Sequence, residues 1–422
     1  LYLIYIKNNK LDDALVLVRS LLNIKPNFYQ GLRDLAFILL EKNKFNEAYK
    51  NINLAINIKS DDYFAFNIRG LIEMKLNKIN NSIISFNNSI KINPKDPSCY
   101  NNLGKSYQEL GDIIIAFKNY KKSYKLDKNY APALINIANI MQLRGRHKSA
   151  IKFYKKTINN YDNSEIYSNI AKAYSEINDT ENANKYFKEA YKLNPKNIYL
   201  IHNYSFFLLY NQDYINGWKF YDSRLEMPKS LKANQNYHII KKYLLPINGK
   251  NLNKTLIIRE QGVGDEILFS SIYEDLIENS PNCKIECDSR LLNIFNRSFK
   301  NNLNFVNFSS ISADEKKVKS FDNVIYAGSL GSIFRKDITD FPRKKFLVAD
   351  SKNKEDFKIK LDKIDSKPKI GISWKSILNI HGTIKSLKLS QLLPLFKNSE
   401  QSYINLQYGE TKSEINDFEK KK

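Results

Sequence analysis

Only three cysteines occur among the 422 residues, Cys99, Cys283 and Cys287, and none forms a CxxC pair. They cannot build a closed disulfide framework, which points to a reducing compartment, the cytoplasm. Cys283 and Cys287 sit at even spacing on one face of an expected strand, where buried thiols are the plainer reading. No apolar run approaches the roughly 20 residues of a membrane span. No signal peptide is visible, although Leu1 in place of Met suggests a start further upstream. Acidic residues are the scarcer charge: 67 Lys and Arg against 44 Asp and Glu leave +23. Lysines spread along the whole chain carry that excess, and no basic cluster coincides with a nucleic-acid-binding motif, so nucleic acid is not an expected partner.

What the sequence does contain is a period. Small residues recur at Ala14, Ala48, Ser82, Ala116, Ala150, Ala183 and Gly217, at steps of 34, 34, 34, 34, 33 and 34. A second small column, Ala36, Gly70, Gly104, Ala138, Ala171 and Ser205, keeps the same step one helix earlier. Bulky residues Ile52, Phe86, Tyr120, Tyr154, Phe187 and Tyr221 follow the first column by one helical turn. Each unit therefore reads as two helices that cross closely at the small residues, with a large side chain beside the crossing. Ile92-Asn93-Pro94 and Leu193-Asn194-Pro195 close two of the units. The pattern resembles the tetratricopeptide repeat over residues 1–228, as a partial first unit and six more. That resemblance implies an all-α right-handed superhelix whose groove takes a protein or peptide partner.

One groove column is Asn102, Asn136, Asn169 and Asn203, two residues before the small column of the first helix, with Asp34 and Ile68 in earlier units. It is similar to the asparagine ladder with which O-linked N-acetylglucosamine transferases hold an extended polypeptide. A primary amide offers both donor and acceptor to a peptide bond. The competing explanation is that Asn is common at this repeat position in an Asn-rich chain.

Periodicity ends after Gly217-Trp218-Lys219-Phe220-Tyr221-Asp222-Ser223-Arg224, and residues 229–250 read as a connector. Beyond them, short apolar runs alternate with amphipathic stretches. Strands are expected at Thr255 to Arg259, Lys284 to Cys287, Phe305 to Phe308, Val324 to Ala327 and Phe346 to Val348, with helices at Glu266 to Glu278 and Leu291 to Phe299. This alternation predicts a mostly parallel, Rossmann-like α/β domain over 251–366. A second unit starts near Lys369 to Trp374, continues through a helix at Leu389 to Phe396 and a strand at Tyr403 to Leu406, and stops within 367–422, incomplete.

The sharpest local motif is Glu260-Gln261-Gly262-Val263-Gly264-Asp265, where a strand runs into a glycine turn and a helix. Free backbone amides and a carboxylate meet there, and Asp265 could accept a proton or cap the helix. The third glycine of the dinucleotide fingerprint is missing, so NAD or FAD is not expected. Together with the Gly217 to Arg224 segment and the Gly371-Ile372-Ser373-Trp374 strand, this order resembles bacterial tetratricopeptide proteins with a C-terminal glycosyltransferase region related to heptosyltransferases.

The resemblance implies the two-Rossmann GT-B fold and inverting transfer from a nucleotide-diphosphate sugar, with neither metal nor cofactor. It makes Asp265 the base that deprotonates an acceptor hydroxyl. Gly262, Gly264, Lys385, Ser386 and Gln407 would line the donor-phosphate cleft, Lys385 and Ser386 matching the family's basic-Ser element and Gln407 its Leu-Gln strand end. Lys385 can equally be a solvated lysine, and His381 is incidental. The family's later donor-binding loop would lie past Lys422. A non-catalytic interaction scaffold, with the second half as a degenerate remnant, is the alternative.

Overall fold

The computed structural model describes residues 5, 8, 10–158, 163–227, 236–244, 252, 254–260, 262–299, 304–375, 386–396 and 400–420. They form two compact units, one of residues 1–237 with 328–341 and one of 238–327 with 342–422.

The first unit opens with α1 (Leu11–Ile24) and continues as six hairpins, each an A helix followed by a B helix. These are α2 (Tyr29–Glu41) with α3 (Phe45–Ile58), α4 (Tyr63–Lys75) with α5 (Ile79–Ile92), and α6 (Pro97–Glu109) with α7 (Ile113–Leu126). Then follow α8 (Ala131–Leu143) with α9 (His147–Ile158), α10 (Ser164–Ser175) with α11 (Thr180–Leu193), and α12 (Ile198–Tyr210) with the short α13 (Tyr214–Tyr221). Residues 11–221 are thus an all-α tetratricopeptide superhelix.

The small columns act as the spacing predicts. A Cβ on Gly70 would stand 2.5 Å from the Phe86 ring, and one on Gly104 2.6 Å from the Tyr120 ring. Each aromatic lies directly on the glycine of the preceding helix, so close that a Cβ there would force the ring to shift. Ala36, Ala138 and Ala171 hold the same place and are fully buried.

Every A-to-B turn contains one residue with positive φ: Asn43, Asn77, Gly111, Gly145, Asn178 and Gln212. This is the left-handed position at which a helix stops. The Asn43 amide returns to the Leu40 carbonyl and the Lys44 amide to the Leu39 carbonyl, and the same pair of bonds recurs at all six turns, ending with Gln212 to Leu209 and Asp213 to Leu208. Asp112, Asp179 and Asp213 then cap the B helices by accepting from Ile115, Asn182 and Asn216.

After α13 a 3-10 turn, Asp222–Glu226, ends the array. Residues 328–341, which the sequence pattern assigned to the following domain, group with it and contain α19 (Gly331–Phe334). The Trp218 ring lies on Gly331, where a Cβ would meet it at 2.5 Å. The buried Arg224 binds Asp222 at 2.7 Å and Ser329 at 3.0 Å.

The second unit contains α14 (Tyr237–Ile240), of which residues 238–240 belong to it, and two parallel sheets. The first has the order β3-β2-β1-β4, from β1 (Thr255–Ile258), β2 (Lys284–Cys287), β3 (Phe305–Asn307) and β4 (Asn323–Tyr326). Leu256 pairs with Lys284 on one side and Val324 on the other, so β1 is central, and all four of its residues are buried.

Between β1 and β2 the expected single helix is broken into α15 (Val263–Phe269), a 3-10 turn and α16 (Tyr273–Asn279). The α17 helix (Ser289–Ser298) links β2 to β3, and α18 (Glu315–Val318) precedes β4. Tyr273, Phe295, Phe299 and Phe305 form an aromatic core with centroids 5.5–6.0 Å apart.

The strand expected at Phe346 to Val348 is absent. The Val348 amide donates to Ser298 Oγ and its carbonyl accepts from Arg297 Nε, so side chains of α17 take the bonds a strand neighbour would take. A 12-residue helix, α20 (Ser351–Asp362), follows.

The second sheet pairs β5 (Lys369–Ile372) with β6 (Ser402–Asn405), and is completed by α21 (Leu393–Phe396) and α22 (Lys412–Glu419). A Cβ on Gly371 would collide with the Leu406 side chain.

Candidate functional site

The A helices present one side chain per turn to a shared face, and the asparagines of that face divide into two groups. In the middle of the array they bond to one another. Asn102 Nδ2 donates to Asn67 Oδ1 at 3.0 Å, Asn101 Nδ2 reaches Asn102 Oδ1 at 3.4 Å, and Asn136 Nδ2 donates to Asn101 Oδ1 at 2.9 Å. Asn67 Nδ2 completes the run on Ser98 Oγ at 3.5 Å. Asn102 is only 8% exposed, so its amide staples neighbouring A helices and is not offered to a ligand. Two adjacent columns of amides, Asn67 and Asn101 beside Asn102 and Asn136, bond to each other, two of the bonds crossing to the next repeat and one joining neighbours on α6.

Asn169 and Asn203 differ. Both are half-buried, and neither makes a side-chain hydrogen bond among the described residues. Asn203 lines a cavity of about 510 Å³ that opens between α10 and α12. Phe187 and Phe207 floor it, Asn203, Phe206 and Tyr210 come from α12, and Lys172, Ser175 and Glu176 from α10 and its end. Sequence reasoning missed this aromatic cavity. Its signal was present one turn beyond each asparagine: Lys172 and Phe206 are each three residues after Asn169 and Asn203 and share their helix face.

At the ladder's other end, Arg33 occupies Asp34 and Asp62 at 3.0 Å each, closing that rung with an ion pair. His202, next to Asn203, stacks edge-on to Phe206 at 4.8 Å. Burial, aided by the positive Arg224, lowers its pKa.

In the second unit, Gly262, Gly264 and Asp265 stand where β1 delivers the chain to α15. Asp265 is half-buried and its Oδ2 accepts from the Gly262 amide at 3.1 Å, a helix-capping contact. Neither glycine has positive φ, and Gly262 is extended. A Cβ on Gly264 would meet nothing within 4 Å, and one on Gly262 only the Asp265 carboxylate at 3.6 Å. Glu266, the next residue, is fully buried; it pairs with Arg259 at 2.6 Å and accepts from the Asp288 amide at 2.9 Å. Burial raises its pKa.

Gln407 is 7% exposed, and its Oε1 accepts from Ser373 Oγ and from the amides of Trp374 and Lys375, each at 2.9 Å. Its carbonyl therefore latches the end of β5. Ser386 precedes Leu387, whose amide reaches the Trp374 carbonyl at 2.8 Å. Lys385 and His381 lie outside the described residues. No group of three or more His, Cys, Asp or Glu suited to a metal occurs among the described residues, and no helix there is long and apolar enough to cross a membrane.

Comparison with known proteins agrees with the helical half. Residues 70–111 match a family model of the TPR repeat, 97–130 and 164–197 a tetratricopeptide-repeat model, and 132–164 a further one. Protein FlbA of Caulobacter vibrioides is 25% identical over 213 residues, covering 47% of this chain and 35% of FlbA, so the match spans about a third of that relative. Among solved structures, Pseudomonas aeruginosa PilF is 16% identical with a TM-score of 0.44, covering 50% of this chain and 94% of that one. The Cut9–Hcn1 hetero-tetramer of the APC/C gives 14% and 0.48, covering 52% and 44%. YrrB, described as a TPR protein with an unusual peptide-binding site, gives 13% and 0.34, covering 44% and 96%.

Proposed function

We propose that the chain is a protein-interaction scaffold that holds a polypeptide along the A-helix face of its array and acts through that contact without catalysing a reaction. The observation that carries this reading is the pair of half-buried amides, Asn169 and Asn203, on successive A helices, neither with a side-chain hydrogen bond among the described residues, and Asn203 on the lining of an open cavity. Stacked hairpins bury one side of each helix and leave the A-helix side as an extended recognition surface. Photo-crosslinking tests it. A benzophenone side chain at Lys172 or Tyr210 should capture a discrete partner in cells, and one at Lys118 or Lys152 on the B helices should not. Equal capture from both faces, or none from either, would overturn the scaffold.

A second reading is favoured by one feature, two glycines that the chain itself does not require. Close approach of a ligand would account for Gly262 and Gly264, and the reversal of strand order beside β1 is where open parallel sheets of the Rossmann kind take theirs. Under this reading the second half is GT-B-like and binds a nucleotide-diphosphate sugar. Asp265 serves as base, and Lys385 and Ser386 lie by the phosphates. Gln407 supports the strand end. Titration with a panel of nucleotide-diphosphate sugars decides it. Gly264→Ala should keep the melting temperature but weaken binding tenfold or more, and Asp265→Asn should lower transfer by on the order of 10² to 10⁴. Binding and transfer indifferent to both changes would leave Asp265 as a helix cap.

A further inference from the structure

Lysines occur throughout the chain, but within the array they gather on two successive B helices. α7 carries Lys118, Lys121, Lys122 and Lys125 and no Asp or Glu. α9 carries four more, among them Lys152 and Lys155, again without an acidic residue. The other eleven array helices together hold twelve Lys or Arg against ten Asp or Glu, so α7 and α9 carry +8 where all the rest carry +2. All eight lysines are exposed. They also recur in register. Lys118, Lys152 and Lys185 stand two residues after the small column of the B helices, and Lys121, Lys155 and Lys188 five after it. At 3.6 residues per turn these offsets fall about 200° and 140° round the helix from the buried small residue, so the side chains share the outward side of α7, α9 and α11. Among the described residues none of the eight makes an ion pair with a carboxylate. Aromatic groups hold several of them instead: Lys155 Nζ donates to Tyr174 Oη at 2.8 Å, Lys156 Nζ to Tyr124 Oη at 3.2 Å, and Lys121 lies 5.0 Å over the Phe117 ring. The two aspartates that bound α7, Asp112 and Asp127, are turned to the backbone amides of Ile115 and Asn129.

We propose that the outward side of α7, α9 and α11 is a docking surface for an anionic lipid bilayer, held by attraction between its lysines and headgroup phosphates with no inserted segment. Three features select that occupant. The charge forms a two-dimensional field: Lys118 to Lys125 covers about 10 Å of α7, and the pattern is carried across three helices. A plane of headgroups meets such a field at many points, whereas a single polyanion strand follows one line through it. The basic residues of α7 and α9 other than His147 are all lysine, a compact point charge that attracts phosphate without demanding one geometry. Finally, the rings on which a single-stranded nucleic acid would stack its bases are taken. Tyr124 and Phe153 are half-buried, and the Lys156 ammonium stands over them at 5.7 and 5.9 Å. Attraction summed over several lysines at a leaflet surface needs no spanning helix, and none is long and apolar enough among the described residues. On α11 Glu189 engages Lys192 at 2.9 Å and leaves Lys185 and Lys188 to the field. This contact uses the B helices and leaves the A-helix face to a polypeptide.

Flotation of the whole chain with extruded vesicles tests it. The chain should float with vesicles of equal parts phosphatidylcholine and phosphatidylglycerol, stay behind with phosphatidylcholine alone, and detach as salt is raised. Lys118→Gln, Lys121→Gln, Lys152→Gln and Lys155→Gln together should weaken vesicle binding at least tenfold with an unchanged circular dichroism spectrum. Removing the same charge from exposed positions of the second unit, by Lys316→Gln, Lys319→Gln, Lys352→Gln and Lys354→Gln, should change binding less than twofold. Equal weakening by the two sets would trace binding to net charge and overturn the surface, as would no flotation at all. A single-stranded DNA oligonucleotide bound more tightly than the vesicles, and lost in the first set of changes, would overturn the lipid assignment in favour of nucleic acid. Each of these outcomes leaves the polypeptide reading of the A-helix face standing.

Discussion

The indole N–H of Trp218 donates to the backbone carbonyl of Arg335 at 2.7 Å, across 117 positions of sequence. The same ring covers Gly331, and Tyr214 meets Phe341 at 5.0 Å, so residues 328–341 close the last hairpin of the array. A stack of hairpins always leaves one apolar face at its end, and here a distant segment covers it. Gly331→Ala should therefore overpack the Trp218 contact and cost about 1–3 kcal/mol. Only two tryptophans are present, so a Trp374→Phe background makes Trp218 fluorescence report urea unfolding of this end. An unchanged midpoint would mean that the segment is not a cap.

The array was legible because its physics is periodic: Gly70 beneath Phe86 and Gly104 beneath Tyr120 repeat a contact that sequence spacing alone reveals. Non-periodic contacts were not legible. Nothing near Trp218 announces Gly331, and nothing at Phe346 to Val348 announces that Ser298 and Arg297 would satisfy that backbone. The asparagine column was visible, but whether an amide faces another amide or open space depends on its neighbours in the adjoining repeats. That is why Asn102 and Asn203 read alike in sequence and differ in structure.

Gly70→Ala should destabilise the array by about 1–3 kcal/mol, because its Cβ would enter the Phe86 ring. Adding Phe86→Leu should recover part of that loss by returning space. If the double variant is as unstable as the sum of the single changes, the two positions do not share the contact.

Asn102→Ala should cost about 1–3 kcal/mol, since it strands the buried Asn67 carbonyl and the Asn101 amide. Asn203→Ala should fall within about 0.5 kcal/mol of the parent, because no described group loses a partner. Denaturant midpoints compared side by side would expose a reversed order.

All three thiols should resist alkylation in the folded chain. Cys99, Cys283 and Cys287 are buried, and burial pushes Cys283 up to about 11 and Cys287 up to about 12 from an ordinary 9.0. The thiolate is the reactive form, so at pH 8 iodoacetamide should label the native protein far more slowly than the urea-unfolded one. Since the folded pKa values are raised, the associated stability is present below pH 9 and fades as pH climbs towards 12. Rapid labelling of native Cys283 or Cys287 would show that the β2 face is open.

His202 should make the C-terminal end of the array acid-sensitive. Its Nδ1 is buried without a hydrogen-bond partner among the described residues, its ring meets Phe206 at 4.8 Å, and Arg224 opposes a second positive charge nearby. Burial is the larger cause and Arg224 the smaller, and both hold the folded pKa below the ordinary 6.5. The unfolded chain then binds a proton at about pH 6.5 that the folded chain refuses until lower pH. Stability from this residue is therefore fully present above 6.5 and is lost as pH falls through the folded value. Arg224 cannot relieve the strain by moving away, because it is 2% exposed and tied to Asp222 and Ser329. Urea midpoints read from Trp218 between pH 8 and pH 5 should fall more steeply in the parent than in His202→Asn, which cannot take the proton. Parallel pH profiles in the two proteins would place the acid sensitivity elsewhere and leave His202 as an inert neighbour of the cavity.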